Sequence, residues 1–373
     1  MDQEAPTTGL LGSARLGREG ASEPPGRSWP QAAGAGSESR PAPAAASAPH
    51  WPTYAALDLG TNNCRLLVAR PTGSAFRVVD AFSRIIRLGE GVSLTGRIGD
   101  AAIARAVDAL AVCRDKMRAR GVSRARLIAT EACRAAENGA DFQARISEVV
   151  GLDLEIVDQR TEAELAATGC TPLMDPDARG AILFDIGGGS SELVRLSRSE
   201  AAGRGPPRPV IQGWVSLPLG VVTLAERFGG VAVDRPTFDA MVTHVGQALT
   251  DFVRTHGGDL GGLHLLGTSG TVTTIAGVHL DLPRYDRRRV DGCWLRGHEI
   301  TAVIDRLMAM GYEQRVANPC IGAERADLVL AGCAILEAIR RAFPCPRLRV
   351  ADRGLREGML VKMMRADGVW ERG

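Results

Sequence analysis

The sequence predicts an α/β fold built as two similar lobes, on three observations. One local plan occurs twice, over 54–68 and again over 181–194: an apolar run, an Asp, an apolar residue, a turn of Gly, Ser, Thr or Asn, and a second apolar run. Short aliphatic runs flanking such a turn read as a hairpin. After each copy, strands alternate with amphipathic helices, the pattern of an α/β layer. The chain of 373 residues, 45% of them hydrophobic, is also long enough for two cores.

The elements follow in order. Residues 1–52 are dominated by Ala, Gly, Pro and Ser, without a period, and read as a disordered tail. The first lobe opens on the hairpin at Tyr54. A strand is expected over 76–81, then a helix over 99–120 whose buried stripe is Ile103, Val107, Leu110, Val112 and Met117. A strand over 126–130 enters a helix at Glu131, and a β segment over 154–157 enters another at Thr161. The second lobe begins at Ala181. Pro206 and Pro207 mark a loop over 204–209, because proline cannot donate to a ladder. There follow a helix over 236–255, a strand over 263–266, a helix from Val272 and an exposed loop over 284–289. A helix over 325–342, a strand over 348–350 and a closing helix from Gly354 complete the chain.

Composition narrows the function. The net charge of +2 gives no overall field to attract DNA or an anionic membrane, so a polyanion has to be gripped locally. Eight scattered cysteines without a Cys-x-x-Cys pair indicate neither a zinc site nor a disulfide framework, and suit a reducing cytoplasm. No apolar stretch approaches the roughly 18 residues of a membrane helix, and the N-terminus lacks the apolar block of a signal peptide. The expectation is a cytoplasmic protein without nucleic-acid or membrane partners.

Chemistry concentrates in the Gly-rich turns. Glycine lets a backbone N–H approach an anion, Ser and Thr hydroxyls add donors, and Asp58 or Asp185 at the strand end can hold a divalent cation. The turn at Gly187-Gly188-Gly189-Ser190-Ser191 is not a dinucleotide fingerprint, because the residues after it alternate like a strand instead of opening a helix. A lone turn of this kind is only a turn; the facing copy gives it a purpose. Gly267-Thr268-Ser269-Gly270-Thr271 lies between a strand and a helix, where orphan N–H groups and the helix dipole favour phosphate. Arg134, one turn into its helix, is placed either to clamp phosphate oxygens or to lie solvated. Glu162 opens a helix at the seam of the lobes, as a dipole partner or as a working carboxylate. The arginines at 284 and 287–289 read as a solvated run or as a guide for a polyanion.

These motifs resemble the exopolyphosphatase and guanosine pentaphosphate phosphohydrolase family, within the actin-like, sugar-kinase-like ATPase superfamily. The resemblance covers residues 53–366. Asp58-Leu59-Gly60-Thr61-Asn62 is similar to the family's first phosphate motif, and Asp185-Ile186-Gly187-Gly188-Gly189-Ser190-Ser191-Glu192 to its second. Gly267 to Thr271 is similar to its third loop, and Asp352-Arg353-Gly354-Leu355-Arg356-Glu357-Gly358 to its C-terminal signature. The resemblance implies two duplicated actin-like, ribonuclease H-like domains with an interdomain cleft. They would span 53–165, with a closing helix over 356–373 packed back on it, and 166–355.

It further implies Glu162 as the carboxylate that activates the attacking water, and Asp58, Asp185 and Glu192 beside magnesium or another divalent cation. Gly60, Thr61, Asn62, Arg134, Gly187, Gly188, Gly189, Ser190, Gly267, Ser269, Gly270 and Thr271 would bind phosphate. The pair of Glu residues common at the catalytic position is Thr161-Glu162 here, with another acid at Glu164. Long members carry a further helical C-terminal domain, and this chain resembles the short, two-domain form. The implied reaction is hydrolysis of the terminal phosphoanhydride of polyphosphate or guanosine pentaphosphate. A small-molecule kinase of the same superfamily and a non-hydrolytic guanosine polyphosphate sensor remain alternatives, and a homodimer is left open.

Overall fold

Two mixed sheets, each begun by one of the duplicated hairpins, organise the described residues, 51–198 and 206–370 of a computed structural model. In the first, β1 (Thr53–Leu59) pairs antiparallel with β2 (Asn63–Thr72), and β2 with β3 (Ala75–Ile85). Helices α1 (Val92–Thr95) and α2 (Asp100–Ala119) cross to β4 (Val122–Ala129), which lies parallel to β1. Helices α3 (Glu131–Ala135) and α4 (Gly139–Val150) cross to β5 (Glu155–Ile156), parallel to β4. The strand order is β3-β2-β1-β4-β5.

After α5 (Gln159–Cys170) the second sheet repeats the scheme. Strands β6 (Gly180–Ile186), β7 (Ser191–Ser197) and β8 (Val210–Leu217) form an antiparallel meander. Helices α6 (Val221–Phe228) and α7 (Arg235–His256) lead to β9 (Leu263–Thr268), parallel to β6. Next come α8 (Gly270–His279), α9 (Arg287–Val290), β10 (Trp294–Arg296), α10 (Gly297–Ala309), α11 (Tyr312–Ala317) and α12 (Val329–Ala342). Strand β11 (Arg347–Ala351) lies parallel to β9, and α13 (Leu355–Ala366) follows it. The order β8-β7-β6-β9-β11 matches the first sheet strand for strand, with β10 added antiparallel at the edge. The duplicated ribonuclease H-like topology expected from the sequence is therefore present.

Each sheet buries one face under its own crossover helices. Leu57 and Leu66 pack with Leu110, Phe142 and Ile146 under the first; Phe184 and Leu193 pack with Phe238, Leu249 and Ile335 under the second. The central strands read as unbroken apolar runs because both of their faces are covered. The other face of the first sheet takes α13, through Tyr54, Leu67, Met359 and Met364, and that of the second takes α5, through Ala163, Ala166, Leu183 and Val194. Helices α5 and α13 meet at backbone distance. A Cβ on Gly169 would lie 2.0 Å from the carbonyl oxygen of Gly354, and one on Gly358 2.0 Å from that of Leu165. That contact fixes where α5 presents its first turns.

Some expectations change. The buried stripe of α2 is carried by Ala102, Ile103, Ala106, Ala109, Leu110, Cys113 and Met117, with Val107 and Val112 only half-buried. Small side chains let this helix lie close to the sheet. The segment over 284–289 is not wholly a loop: Asp286 caps α9, and Arg287 folds back on Asp352 and Glu357. Helix α12 starts at Val329, four residues later than expected, because the chain over 323–328 is still in turns. Of the tail expected over 1–52, Trp51 and Pro52 are described, and Trp51 packs beside the α13 cluster. The rest of that tail lies outside the described residues, as do residues 204 and 205 of the proline loop and 371–373 of the closing segment. No helix among the described residues is long and apolar enough to cross a membrane.

Candidate active site

The two hairpin turns close with the same hydrogen bond. Gly60 N–H donates to the Asn63 carbonyl and Gly187 N–H to the Ser190 carbonyl, each at 2.9 Å. The turns also touch. A Cβ on Gly188 would stand 2.9 Å from Thr61 Cβ and 3.1 Å from Asn62 N, and one on Gly189 2.8 Å from Thr61 Oγ1. None of Gly60, Gly187, Gly188 and Gly189 has a positive φ. Glycine serves close approach here, not the unusual backbone angle that a tight turn suggests.

Between the turns lies a cavity of about 120 Å³. The N–H groups of Thr61, Asn62, Gly188 and Gly189 donate to no backbone carbonyl among the described residues, and all four residues line it. The side-chain oxygens of Asn62 and Asn63 are buried there without a partner. The third loop contributes a helix start: Ser269, with φ at 155°, caps α8 by accepting the Val272 N–H at 3.1 Å. Gly270 and Thr271, the first residues of α8, line the same cavity. Unpaired N–H groups at two turns and one helix start make an anion cradle.

The carboxylates stand around it. Asp158 caps α5 by accepting the Thr161 N–H at 2.7 Å, and so sets Glu162 on the cavity wall at 4% exposure. Burial pushes Glu162 up to about 9, the neighbouring Glu192 charge adds to the rise, and Arg134 opposes it. Arg134 donates to Glu162 Oε1 at 2.5 Å, to the Val157 carbonyl at 2.6 Å and to Glu131. Glu164, two residues on, turns away to Arg160 and Lys362, each at 3.1 Å.

On the strands beneath α5, Asp185 and Glu192 are direct cross-strand partners. Burial, and then the Glu192 charge, pushes Asp185 up to about 8, against the pull of Arg65. Asp58 is likewise raised by burial, opposed by Arg65 and Arg356. Glu192 is raised by burial too, although its Oε1 accepts from the Ser190 and Ser216 hydroxyls at 2.8 Å each.

The structure thus gathers Asp58, Gly60, Thr61, Asn62, Glu162, Asp185, Gly187, Gly188, Gly189, Ser190, Glu192, Ser269, Gly270 and Thr271 around one cavity. Two expected phosphate ligands stand elsewhere. Gly267 is inside β9, where a Cβ would meet the Phe184 ring at 2.5 Å, so it is a core glycine. Arg134 reaches the cavity only through Glu131 and Glu162. Sequence reasoning missed Arg65, Glu131 and Arg325, which line the cavity. Arg65 and Glu131 belong to stretches already singled out, whereas nothing around Arg325 marks it.

A profile of the Ppx/GppA phosphatase family matches residues 67–367. Exopolyphosphatase 2 of Mycobacterium tuberculosis is 29% identical over 325 residues, which cover 83% of this chain and 98% of that protein. The guanosine-5'-triphosphate,3'-diphosphate pyrophosphatase of Aeromonas salmonicida is 27% identical over 314 residues, 84% of this chain and 60% of its own length. The crystal structure of an Aquifex aeolicus member of the Ppx/GppA family superposes with a TM-score of 0.68 at 26% identity, covering 85% of this chain and 98% of its own. With a family profile spanning well over half its length, the chain belongs to the Ppx/GppA phosphatase family.

Proposed function

We propose that this protein hydrolyses the terminal phosphoanhydride of inorganic polyphosphate or guanosine pentaphosphate, releasing orthophosphate by attack of water. The observation that carries the reading is the pair of facing Gly-rich turns with Glu162 buried beside them. Relatives named for both substrates support it. The N–H groups of the turns would hold the oxygens of the terminal phosphate, and Ser269, Gly270 and Thr271 would hold the next ones. Glu162 would orient the water and take its proton, and Arg134, held by three acceptors, would aim that carboxylate. Phosphoryl transfer requires little covalent work from the protein, so positioning and charge stabilisation carry the rate.

A divalent cation, magnesium by default, suits this wall. No group of three or more His, Cys, Asp or Glu able to hold a metal ion occurs among the described residues. Magnesium, however, commonly takes one or two carboxylates and completes its shell with water and substrate oxygens. Asp185 and Asp58 would hold it, each a half-buried carboxylate on the cavity wall raised by loss of water, with Glu192 beside Asp185 on the next strand. When bound, the cation would offset phosphate charge. The free state of all eight cysteines, six of them buried, favours a reducing cytoplasm. We divide the lobes as 53–165 with the closing helix, and 166–355.

The test is phosphate release by the purified protein from both substrates in ¹⁸O-labelled water, with magnesium or with a chelator. Labelled phosphate from at least one substrate in the presence of magnesium is expected. Transfer of phosphate to a small-molecule acceptor without label would overturn the hydrolase reading.

A further inference from the structure

Helix α3 is only five residues long, yet both of its ends are fixed. The Thr130 N–H, just before it, donates at 3.2 Å to the carbonyl of Leu59, the residue that leads into the first turn. Ala132 and Cys133 are buried, and a Cβ on Gly139 would lie 2.0 Å from the Cys133 carbonyl oxygen, so α4 seats directly on the end of α3. Its first residue, Glu131, is thereby carried to a set place on the cavity wall. There it meets the other lobe: a Cβ on Gly189 of the facing turn would lie 3.0 Å from Glu131 Cγ and 3.4 Å from its Cβ.

A carboxylate beside an anion cradle works against phosphate, because like charges repel most where water is scarce. What Glu131 holds gives it a purpose. Its Oε2 accepts from Arg134 Nη2, while Arg134 Nη1 donates to Glu162 Oε1 at 2.5 Å and to the Val157 carbonyl at 2.6 Å. On an exposed helix face, a pair at this spacing would be a minor contact. Here the two side chains are only 17% and 23% exposed, and Glu131 and Glu162 line the cavity while Arg134 does not. The guanidinium is held by two carboxylates that stand on the wall in its place.

We propose that Glu131 is a positioning residue for hydrolysis: it keeps Arg134 on Glu162 and off the substrate oxygens, and substrate affinity is lower for it. The inference rests on the hydrolase reading above and adds to it a residue that neither Gly-rich turn contains. Without Glu131, Arg134 Nη2 has no acceptor among the described residues and stands close to a cavity that collects phosphate. A guanidinium grips phosphate oxygens bidentately, so Arg134 would turn to the substrate and aim Glu162 less well. Grip on the substrate that is already complete before the reaction tightens binding without speeding turnover.

The experiment measures kcat and KM for tripolyphosphate and guanosine pentaphosphate. It uses the full-length protein, Glu131→Ala, Glu131→Gln, Glu131→Asp, Arg134→Ala and the double variant Glu131→Ala with Arg134→Ala. Glu131→Ala should lower kcat by roughly tenfold and KM by roughly threefold, a joint fall that a merely structural contact would not produce. Glu131→Gln, which keeps the shape, should shift both in the same direction and carries the test if the shorter side chain unsettles α3. Glu131→Asp, which restores the charge, should recover part of kcat. In the Arg134→Ala background, removal of Glu131 should leave kcat unchanged, because its effect passes through the guanidinium. A melting temperature close to that of the native protein shows that each variant is folded. If the native protein hydrolyses either substrate but kcat is unchanged without Glu131, or KM rises, or kcat falls by the same factor with and without Arg134, the role of Glu131 is wrong and the hydrolase reading stands. If neither substrate releases phosphate, both fall together.

Discussion

Glu162 is a carboxylate that this fold keeps from water and then holds with one guanidinium. Arg134 is the only cation among the groups that act on its charge, so its removal has a defined direction: Glu162 rises further above about 9. Arg134→Gln should therefore lower kcat/KM near neutral pH by roughly ten- to a hundredfold, and move the rising limb of the pH profile to higher pH. Arg134→Lys should recover part of the loss. An unchanged pH profile would reduce Arg134 to a surface contact.

The same carboxylates govern stability. Glu162 and Asp185 release their protons at ordinary values, 4.5 and 3.8, once unfolded, and near 9 and 8 when folded. The folded protein binds more protons across that window. Its extra stability is complete below the unfolded values and is lost as pH rises through about 8 to 9. The melting temperature of the ligand-free protein is expected to fall from pH 5 to pH 9, and magnesium to flatten the decline. A melting temperature that climbs over that range would contradict the burial argument.

At the scale of elements, the hairpin turns carry the site because their glycines let two backbones touch. Gly188→Ala forces a methyl group against Thr61 and Asn62. The two turns must then move apart, and misplacing the groups that hold the phosphate should lower kcat/KM by roughly ten- to a hundredfold. The turn stands at the cleft and not in either core, so the melting temperature should move little. Normal turnover in this variant would mean that the turn does not hold phosphate.

Both hairpins were legible in the sequence because an Asp and a Gly-rich turn between apolar runs leaves few alternatives, and the repeat confirmed each copy by the other. Helix α10 was missed, although Ile300, Val303, Ile304 and Leu307 stand at helical spacing, because no motif draws attention to it. The role of Gly267 was not legible, because a glycine facing Phe184 and one facing a phosphate look alike in one dimension. Arg325 enters the site only through the fold, and Arg356, quoted within the C-terminal signature, had no role until the fold placed it. They stand more than 130 residues after Asp185 and come to it through the packing of the chain over 322–358.

Across the whole molecule, the two sheets are joined around the cleft by contacts far apart in sequence. Arg87, with φ at 46°, reaches Asp327 at 2.8 Å and 3.0 Å and the Glu324 carbonyl at 3.2 Å. Glu226 of α6 accepts from Gly91 N–H at 2.9 Å and from Ser93. These partly exposed pairs link the two sides of the cleft at small individual energies, about 0–1 kcal/mol each. Arg87→Ala should accordingly raise KM by roughly two- to fivefold and leave kcat nearly intact. A fall in kcat with constant KM would place Arg87 in the chemical step instead.

The central claim is that Glu162 activates water against a phosphate held between the turns. It is tested most directly by single-turnover phosphate release from Glu162→Gln beside Glu164→Gln, with substrate binding measured in parallel. Glu162→Gln keeps the shape and removes the base, so release should slow by roughly a hundred- to ten-thousandfold while binding is retained. Glu164→Gln, which breaks only the outward pairs to Arg160 and Lys362, should remain within a few-fold of the native protein. A Glu162→Gln protein that releases phosphate at the native rate would contradict the claim, and an inactive Glu164→Gln beside it would move the base two residues along α5.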